Sequence, residues 1–169
     1  MRGVSLTILL CAMLVVAGCG GSGSSSSSTG SAESSPSAST ESPPASKKTK
    51  PKVTVPKGAP PKKLVVKEIE KGSGATAESG DEVTVQYVGV NYKNGKEFDS
   101  SWSRNEPFPF QLGAGQVIPG WEQGVEGMKV GGRRELIIPP ALAYGAAGSP
   151  PAIGPNETLV FVIDLLGVK

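Results

Sequence analysis

The chain has 169 residues, a length that fits one domain with appendages. Histidine is absent, which excludes Ser-His-Asp and Cys-His catalysis and the commonest zinc and non-haem iron ligand sets. Both cysteines, Cys11 and Cys19, lie near the N-terminus, so the body of the chain has neither a disulfide framework nor a CxxC redox motif. The composition favours binding, or catalysis without a nucleophile, and we predict no metal and no cofactor.

The formal net charge of +2 is distributed unevenly along the chain. Residues 64–169 contain nine Lys and Arg against thirteen Asp and Glu, which gives 9 − 13 = −4. Residues 20–63 contain seven Lys against two Glu, which gives 7 − 2 = +5, and Arg2 supplies the remaining charge. Because the basic residues do not belong to the folded part, we predict no nucleic-acid partner.

The N-terminus has the pattern of a secretory signal: Arg2, an apolar run over residues 4–16, and small residues before Cys19. The run is shorter than the roughly 20 residues that a membrane span needs. Residues 16–19, Val-Ala-Gly-Cys, resemble the lipobox of bacterial lipoproteins. The resemblance implies a signal peptide over residues 1–18, lipidation of Cys19 with fatty acids such as palmitate, and anchoring at the extracytoplasmic face of the cell membrane. A plain signal peptide and an uncleaved anchor are the alternatives.

Residues 19–63 form a Ser-, Pro- and Lys-rich linker after the signal. The linker has too few apolar residues to offset the entropy lost on ordering, so we expect it to be disordered. As a flexible coil, some forty residues would reach roughly 35 Å. The lysines of residues 47–63 fit either contact with anionic lipid headgroups or a soluble spacer.

The remaining residues, 64–169, predict an antiparallel sheet. Val83, Val85 and Tyr87 alternate with polar residues, as in a strand with one buried face. Asn94-Gly95 is the strongest short signal for a hairpin turn. Strand patterns occur at residues 64–70, 82–89, 97–99, 108–112, 133–138 and 158–166.

One stretch predicts a helix. Trp121, Val125 and Met128 are spaced i, i+4 and i+7 and therefore share a helix face. A helix of about two turns is not stable alone in water, so it must pack on the sheet. The predicted fold class is α+β, a curved antiparallel β-sheet wrapped around one short α-helix.

Aromatic residues occur in several different elements, where they could line an apolar cup with a few polar groups at its rim. Ordinary core packing is the alternative for each of them. Asp99 follows Phe98 directly, and a carboxylate in an apolar setting needs a partner, for which Arg104 is close in sequence. The aromatic set consists of Tyr87, Phe98, Phe108, Trp121, Tyr144 and Phe161.

A series of short motifs follows the order and spacing of a known family. They are VQYVG at 85–89, GKEFDSS at 95–101, PFPF at 107–110, VIPGWEQGV at 117–125, GMKVGG at 127–132, AYG at 143–145 and TLVF at 158–161. Together they resemble the FKBP-type peptidyl-prolyl cis-trans isomerases over residues 64–169. The resemblance implies an enzyme that accelerates rotation about Xaa-Pro bonds by non-covalent binding of the twisted amide.

The resemblance also implies site residues. Trp121 would form the floor of the pocket that receives the proline ring, and Ile153 would lie on a flap above it. The pocket walls would be Tyr87, Phe108, Val117 and Phe161, with Phe98 close by. Groups acting on the peptide would be the Ile118 N–H, the Tyr144 hydroxyl, and Asp99 held by Arg104 and Tyr87.

The flap, residues 146–155, departs from the best-known members of the family. It lacks a histidine that some members carry, Ala152 is smaller than their isoleucine, and Pro151 and Gly154 also differ. Substrate preference and macrolide affinity therefore stay open. The expected partners are proline-containing polypeptides and the family's macrolide ligands, and we expect a monomer. A tethered proline-peptide binding or chaperone module with little turnover is the main alternative, and a solute-capturing lipoprotein is a second one.

Overall fold

The fold is a single antiparallel sheet with two short helices, seen in a computed structural model that describes residues 48–169. The strands lie side by side in the order β1-β5-β6-β2-β3, and β4 pairs with another part of β2. This confirms the predicted α+β class. The elements are β1 (Val65–Glu70), β2 (Glu82–Asn91), β3 (Glu97–Ser100), α1 (Ser101–Arg104), β4 (Phe108–Gln111), α2 (Pro119–Val125), β5 (Arg133–Ile138), a 3₁₀ turn (Pro140–Leu142) and β6 (Leu159–Val168).

Strand β2 has the most neighbours in the sheet. Along one edge it pairs with β6, and its other edge is shared by β4 at its beginning and β3 at its end. The chain leaves this shared edge after Ser100, turns through α1, and returns at Phe108. The sequence patterns do not predict α1, because a helix of four residues is too short to show a periodicity.

The main core lies between one face of the sheet and α2. Helix α2 contributes Trp121 and Val125, which are 4% and 0% exposed. Met128 is also fully buried, but it lies after the helix rather than on it. The predicted helix face through Met128 is therefore too long, because the chain leaves the helical conformation at Glu126 (φ −53°, ψ 134°) and turns through Gly127 with a positive φ of 75°.

Helix α2 packs closely against β5. A Cβ atom on Gly124 would lie 2.4 Å from Leu136 Cδ1, and one on Gly120 would lie 2.4 Å from Ile138 Cγ2. Both distances are below any normal carbon contact. The two glycines let the backbone of α2 approach β5 closely. This close approach determines how far the Trp121 side chain extends into the core.

The opposite face of the sheet is buried too, which differs from the single apolar face predicted for β2. A second cluster of Val88, Val90, Ile137 and Val160 lies there. Residues 48–55, which we call the strap, cross this face, and Val53 and Val55 pack on the cluster. The strap lies within the segment that the sequence predicts to be a disordered linker, and the structure shows these residues in contact with the sheet. Val53 and Val55 alternate with polar residues, which is the pattern of an extended segment on an apolar surface.

The boundary at residue 64 stays a prediction, although contacts with the sheet begin 16 residues earlier (64 − 48). The predicted signal peptide and Cys19 lie outside the described residues. Within residues 48–169, no helix is long and apolar enough to cross a membrane.

The contact between α2 and β5 gives a first prediction. Gly124→Ala should lower the free energy of unfolding by about 1–2 kcal/mol, because the added methyl group meets Leu136 in a packed core. The higher helix propensity of alanine offsets only part of this loss. Denaturant titration at constant m-value measures it. Gly167→Ala is the control, since a Cβ there would have no atom within 4 Å. Equal midpoints for the Gly124 variant and the unchanged protein would contradict the prediction.

Candidate functional site

A cavity of about 350 Å³ opens where the start of α2 meets β2, β3 and β4. Nine of the ten residues predicted for the site line it. The tenth lining residue is Gln116, which the sequence did not single out because an exposed glutamine beside Val117 carries no distinctive pattern. The lining consists of Tyr87, Phe98, Asp99, Phe108, Gln116, Val117, Ile118, Trp121, Tyr144 and Phe161.

Trp121 forms the floor of this cavity from the first turn of α2. Its ring centroid lies 5.0 Å from that of Tyr87 and 5.2 Å from that of Phe161, in edge-to-face contacts near 80° and 89°. Phe108 lies 6.2 Å away in a similar arrangement. Aromatic pairs prefer this geometry, and each adds about 0.5–1.5 kcal/mol beyond the area it buries. The floor and walls therefore support one another as one rigid aromatic cluster.

Asp99 places a carboxylate at the edge of the aromatic walls. The Tyr87 hydroxyl donates to Asp99 Oδ2 at 2.5 Å, and Arg104 Nη1 forms an ion pair with Oδ1. Arg104 Nη2 also donates to the Tyr87 hydroxyl at 2.9 Å, which closes a triangle of three side chains. The Ser100 N–H donates to Asp99 Oδ1 at 2.8 Å. The partner expected for Asp99 from the sequence is thus present.

These contacts set the charge state of the site. Burial raises the pKa of Asp99, but hydrogen bonds from Tyr87 and Arg104 outweigh burial and leave this pKa below its ordinary value of 3.8. Burial raises the pKa of Tyr87 to about 12, and the hydrogen bond to Asp99 acts in the same direction. Burial, followed by the charge of Asp99, also raises the pKa of Tyr144 above 10.0. At neutral pH the cavity therefore holds one ionised carboxylate and two neutral phenols.

Helix α1 brings Arg104 back over Asp99. The Ser100 hydroxyl caps the helix by accepting from the Ser103 N–H. Ser101 is fully buried, and its hydroxyl accepts from the Tyr87 N–H at 2.8 Å, which ties the start of the helix to β2. A single turn is enough to place Arg104 beside the carboxylate five residues earlier.

Two hydrogen-bond donors lie at the rim of the cavity. The Ile118 carbonyl accepts from the Trp121 N–H at 2.8 Å, while the Ile118 N–H donates to no backbone carbonyl within residues 48–169. The side chain of Tyr144 is 41% exposed and lines the cavity from the other side. The carboxylate of Glu122, on α2, accepts from the N–H groups of Gly113 and Gly115 at 2.5 and 2.9 Å, which ties the helix to the turn after β4.

Ile153, predicted to bind substrate from the flap, does not line the cavity. Ser149 and Ile153 exchange two backbone hydrogen bonds of 2.9 Å, which close the flap into a tight turn. This turn directs Ile153 into the main core, where it is 4% exposed. The flap is thus anchored by Ile153, and the residues between the two hydrogen bonds form its tip.

A larger cavity, of about 1180 Å³, lies between residues 52–60, the β2–β3 hairpin and residues 154–158. None of the predicted site residues lines it, and its walls are mainly lysine, proline and glycine from exposed loops. The smaller cavity is the one with aromatic walls, a paired carboxylate and rim donors. We therefore assign the functional site to the smaller cavity.

Comparison with known proteins shows which family the chain resembles. The family model of the FKBP-type peptidyl-prolyl cis-trans isomerases matches residues 73–166. An FK506-binding protein of Streptomyces anulatus is 58% identical over 120 residues, covering 70% of this chain and 97% of that protein. A probable FK506-binding protein of Corynebacterium glutamicum is 50% identical over 117 residues, covering 69% and 97%.

The Streptomyces match reaches beyond the predicted domain boundary. It covers about 118 residues of this chain (0.70 × 169), more than the 106 residues from 64 to 169 (169 − 63). The similarity therefore includes part of the segment before residue 64.

Solved structures show the same fold. The crystal structure of AtFKBP13 matches with a TM-score of 0.59 and 38% identity, over 63% of this chain and 93% of that chain. The crystal structure of FkpA from Escherichia coli matches with a TM-score of 0.58 and 49% identity, over 63% of this chain and 48% of that chain.

The triangle around Asp99 gives a second prediction. Tyr87→Phe should raise the pKa of Asp99, because the lost hydroxyl donates to the ionised carboxylate and lowers its pKa. Carbon-detected NMR titration of the aspartate carboxyls measures the change. Tyr92→Phe is the matched control, since Tyr92 packs on the second cluster, away from Asp99. The same Asp99 titration curve in all three proteins would show that the hydrogen bond has no effect.

Proposed function

The chain belongs to the FKBP-type peptidyl-prolyl cis-trans isomerases, and from this premise we propose that it acts on Xaa-Pro bonds of proteins outside the cytoplasm, held at the membrane by Cys19. The activity itself, EC 5.2.1.8, follows from the family. The observation that carries the mechanism is the aromatic cavity around Trp121 with one paired carboxylate at its edge.

The reaction needs no nucleophile and no metal. Resonance keeps the peptide bond planar, with a rotation barrier of about 18–20 kcal/mol, so uncatalysed Xaa-Pro isomerisation takes tens to hundreds of seconds. The twisted transition state has lost this resonance, and its carbonyl carries less negative charge than that of the planar amide. An apolar pocket therefore favours the transition state over the ground state. A difference of about 4 kcal/mol would accelerate rotation roughly a thousandfold.

Each part of the cavity has a role in this reaction. The proline ring packs on Trp121, between Tyr87 and Phe161. The Ile118 N–H and the Tyr144 hydroxyl donate to carbonyls of the peptide and hold it in a turned conformation. Asp99 stays ionised beside the twisting amide, because the ion pair with Arg104 and the hydrogen bond from Tyr87 stabilise its charge next to apolar walls.

The charge states lead to a third prediction. Isomerase activity of the full chain should be constant between about pH 5 and pH 9, because no lining group titrates in that range. Asp99 has a lowered pKa and is ionised throughout, while Tyr87, with a pKa of about 12, and Tyr144 stay protonated. Magnetisation-exchange NMR on an Ala-Pro peptide measures the rate without a coupled protease. A bell-shaped profile with a midpoint inside the range would contradict the mechanism.

The membrane anchor rests on the sequence of the first nineteen residues. A diacylated Cys19 would hold the protein stably, because two chains bind a bilayer far better than one. The linker between Cys19 and the strap spans residues 20–47, and these 28 residues would reach about 30 Å if they form the flexible coil that the sequence predicts. The cavity would then work close to the outer surface of the membrane, on proteins that fold there.

The ligands we propose follow from the same cavity. Proline-containing polypeptides are the substrates that bind in the cavity. The relatives are named for binding FK506, and a macrolide of this kind would compete with the peptide for the same cavity of this chain. We propose a monomer.

The anchor gives a fourth prediction. Cys19→Ser should move the protein from the membrane fraction to the soluble fraction and abolish its labelling with radioactive palmitate, because the serine cannot receive the lipid. Cys11→Ser is the matched control, since Cys11 lies in the signal peptide and should be removed with it. Isomerase activity should be the same in all forms. Membrane partitioning that is unchanged in the Cys19 variant would contradict the anchor and leave the enzyme assignment intact.

A further inference from the structure

The strap reaches the helix that carries Arg104. Lys50 Nζ donates to Glu97 Oε1 on β3 at 2.8 Å and to Ser103 Oγ on α1 at 3.0 Å. The Ser103 hydroxyl donates in turn to Glu97 Oε1 at 3.3 Å. Lys50 thus joins β3, which carries Asp99, to α1, which carries Arg104, although it does not line the cavity.

Each of the four residues of α1 has its own anchor. Ser101 is tied to β2 through the Tyr87 N–H, and Trp102 packs against the second cluster. Ser103 is tied to Lys50, and Arg104 binds Asp99 and the Tyr87 hydroxyl. A single helical turn has no stability of its own, so these contacts determine where Arg104 lies. The strap supplies one of them directly and covers the cluster on which another depends.

The strap is itself fixed to the sheet on both sides of Lys50. On the N-terminal side, Lys48 Nζ lies 2.7 Å from Glu70 Oε2 and 3.7 Å from Asp164 Oδ1. Arg133 binds the fully buried Asp164 with two hydrogen bonds of 2.6 and 2.8 Å and donates to the Thr49 carbonyl at 3.0 Å.

On the C-terminal side of Lys50, the valines of the strap pack on the second cluster. Lys50 therefore extends from a backbone that is held at two points. A side chain in this position can fix α1 relative to the sheet rather than merely follow its movement.

We propose that the strap is a positioning element of the active site and that Lys50 is its positioning residue. Lys50 holds Glu97 and Ser103, these hold α1 against β3, and α1 holds Arg104 on Asp99. Loss of Lys50 lets α1 shift and weakens the ion pair that neutralises the carboxylate beside the twisting amide. The inference depends on the isomerase activity and is independent of the membrane anchor.

The expected effect is small but measurable. Lys50 and Glu97 have side chains that are 40% and 39% exposed, so solvent screens their attraction. Losing an exposed ion pair of this kind changes a rate or an equilibrium constant by a factor of about two to five. We therefore expect Lys50→Ala to lower kcat/KM by a factor of about two to five. Because the pocket walls are untouched, the fall should appear in kcat rather than in peptide affinity.

The test compares single and double variants of the full chain by magnetisation-exchange NMR. Lys50→Ala should lower kcat/KM, and Lys50→Arg should keep most of the activity because it retains the charge and the donors. Lys52→Ala is the matched control, since Lys52 is an exposed strap residue that forms no ion pair within residues 48–169, and it should leave activity unchanged.

The decisive measurement is the double-mutant cycle with Arg104→Ala. If Lys50 acts through Arg104, adding Lys50→Ala in that background should cause no further loss. An equal fold-loss in both backgrounds would overturn the proposal, because Lys50 would then act through overall stability or another route. Full activity of Lys50→Ala would overturn it as well. If the protein without any substitution had no isomerase activity, the isomerase assignment itself would be refuted.

Discussion

The burial of β2 on both faces is the constraint on which the rest of the structure depends. One face carries Val83, Val85 and Tyr87 into the main core, and the other carries Val88 and Val90 into the second cluster. A strand in an antiparallel sheet can be buried in this way only if something covers each side. Helix α2 covers the first face and the strap covers the second. The cavity lies where β2 meets both the covering helix and the edge shared by β3 and β4.

The chemistry of the cavity follows from one charge in an apolar wall. A carboxylate beside apolar walls is costly without a partner, and the half-exposed Asp99 has both an ion-pair partner and a phenol donor. These partners hold it ionised, so it contributes a fixed field and does not exchange protons with the substrate. The composition agrees with such a site, because a chain without histidine lacks the one side chain whose ordinary pKa lies near neutral pH. Rotation about the Xaa-Pro peptide bond breaks no covalent bond, so the site has to supply only a pocket of the right shape and a suitable electrostatic field.

The sequence predicts the parts of this fold that repeat a simple pattern. Alternating apolar and polar residues predict the strands. The resemblance carried by the ordered motifs implies nine of the ten residues that line the cavity. The patterns do not predict α1, which is too short to be periodic, nor the end of α2 at Val125, after which the chain leaves the helical conformation at Glu126. The sequence does not predict the contact between the strap and the sheet, because the lysines and prolines of this segment are typical of a linker. Only two valines of the strap pack on the second cluster. Ile153 lies in the core because a tight turn reverses its direction, which a motif cannot show.

The strap also decides which part of the sheet proteolysis before the first strand would expose. A cut before residue 48 frees a domain whose sheet is covered on both sides and whose Lys50 stays in place. A cut after residue 55 leaves the sheet intact but uncovers Val88, Val90, Ile137 and Val160, an apolar patch that favours self-association. The functional border of the domain therefore lies at the start of the strap, well before its first strand.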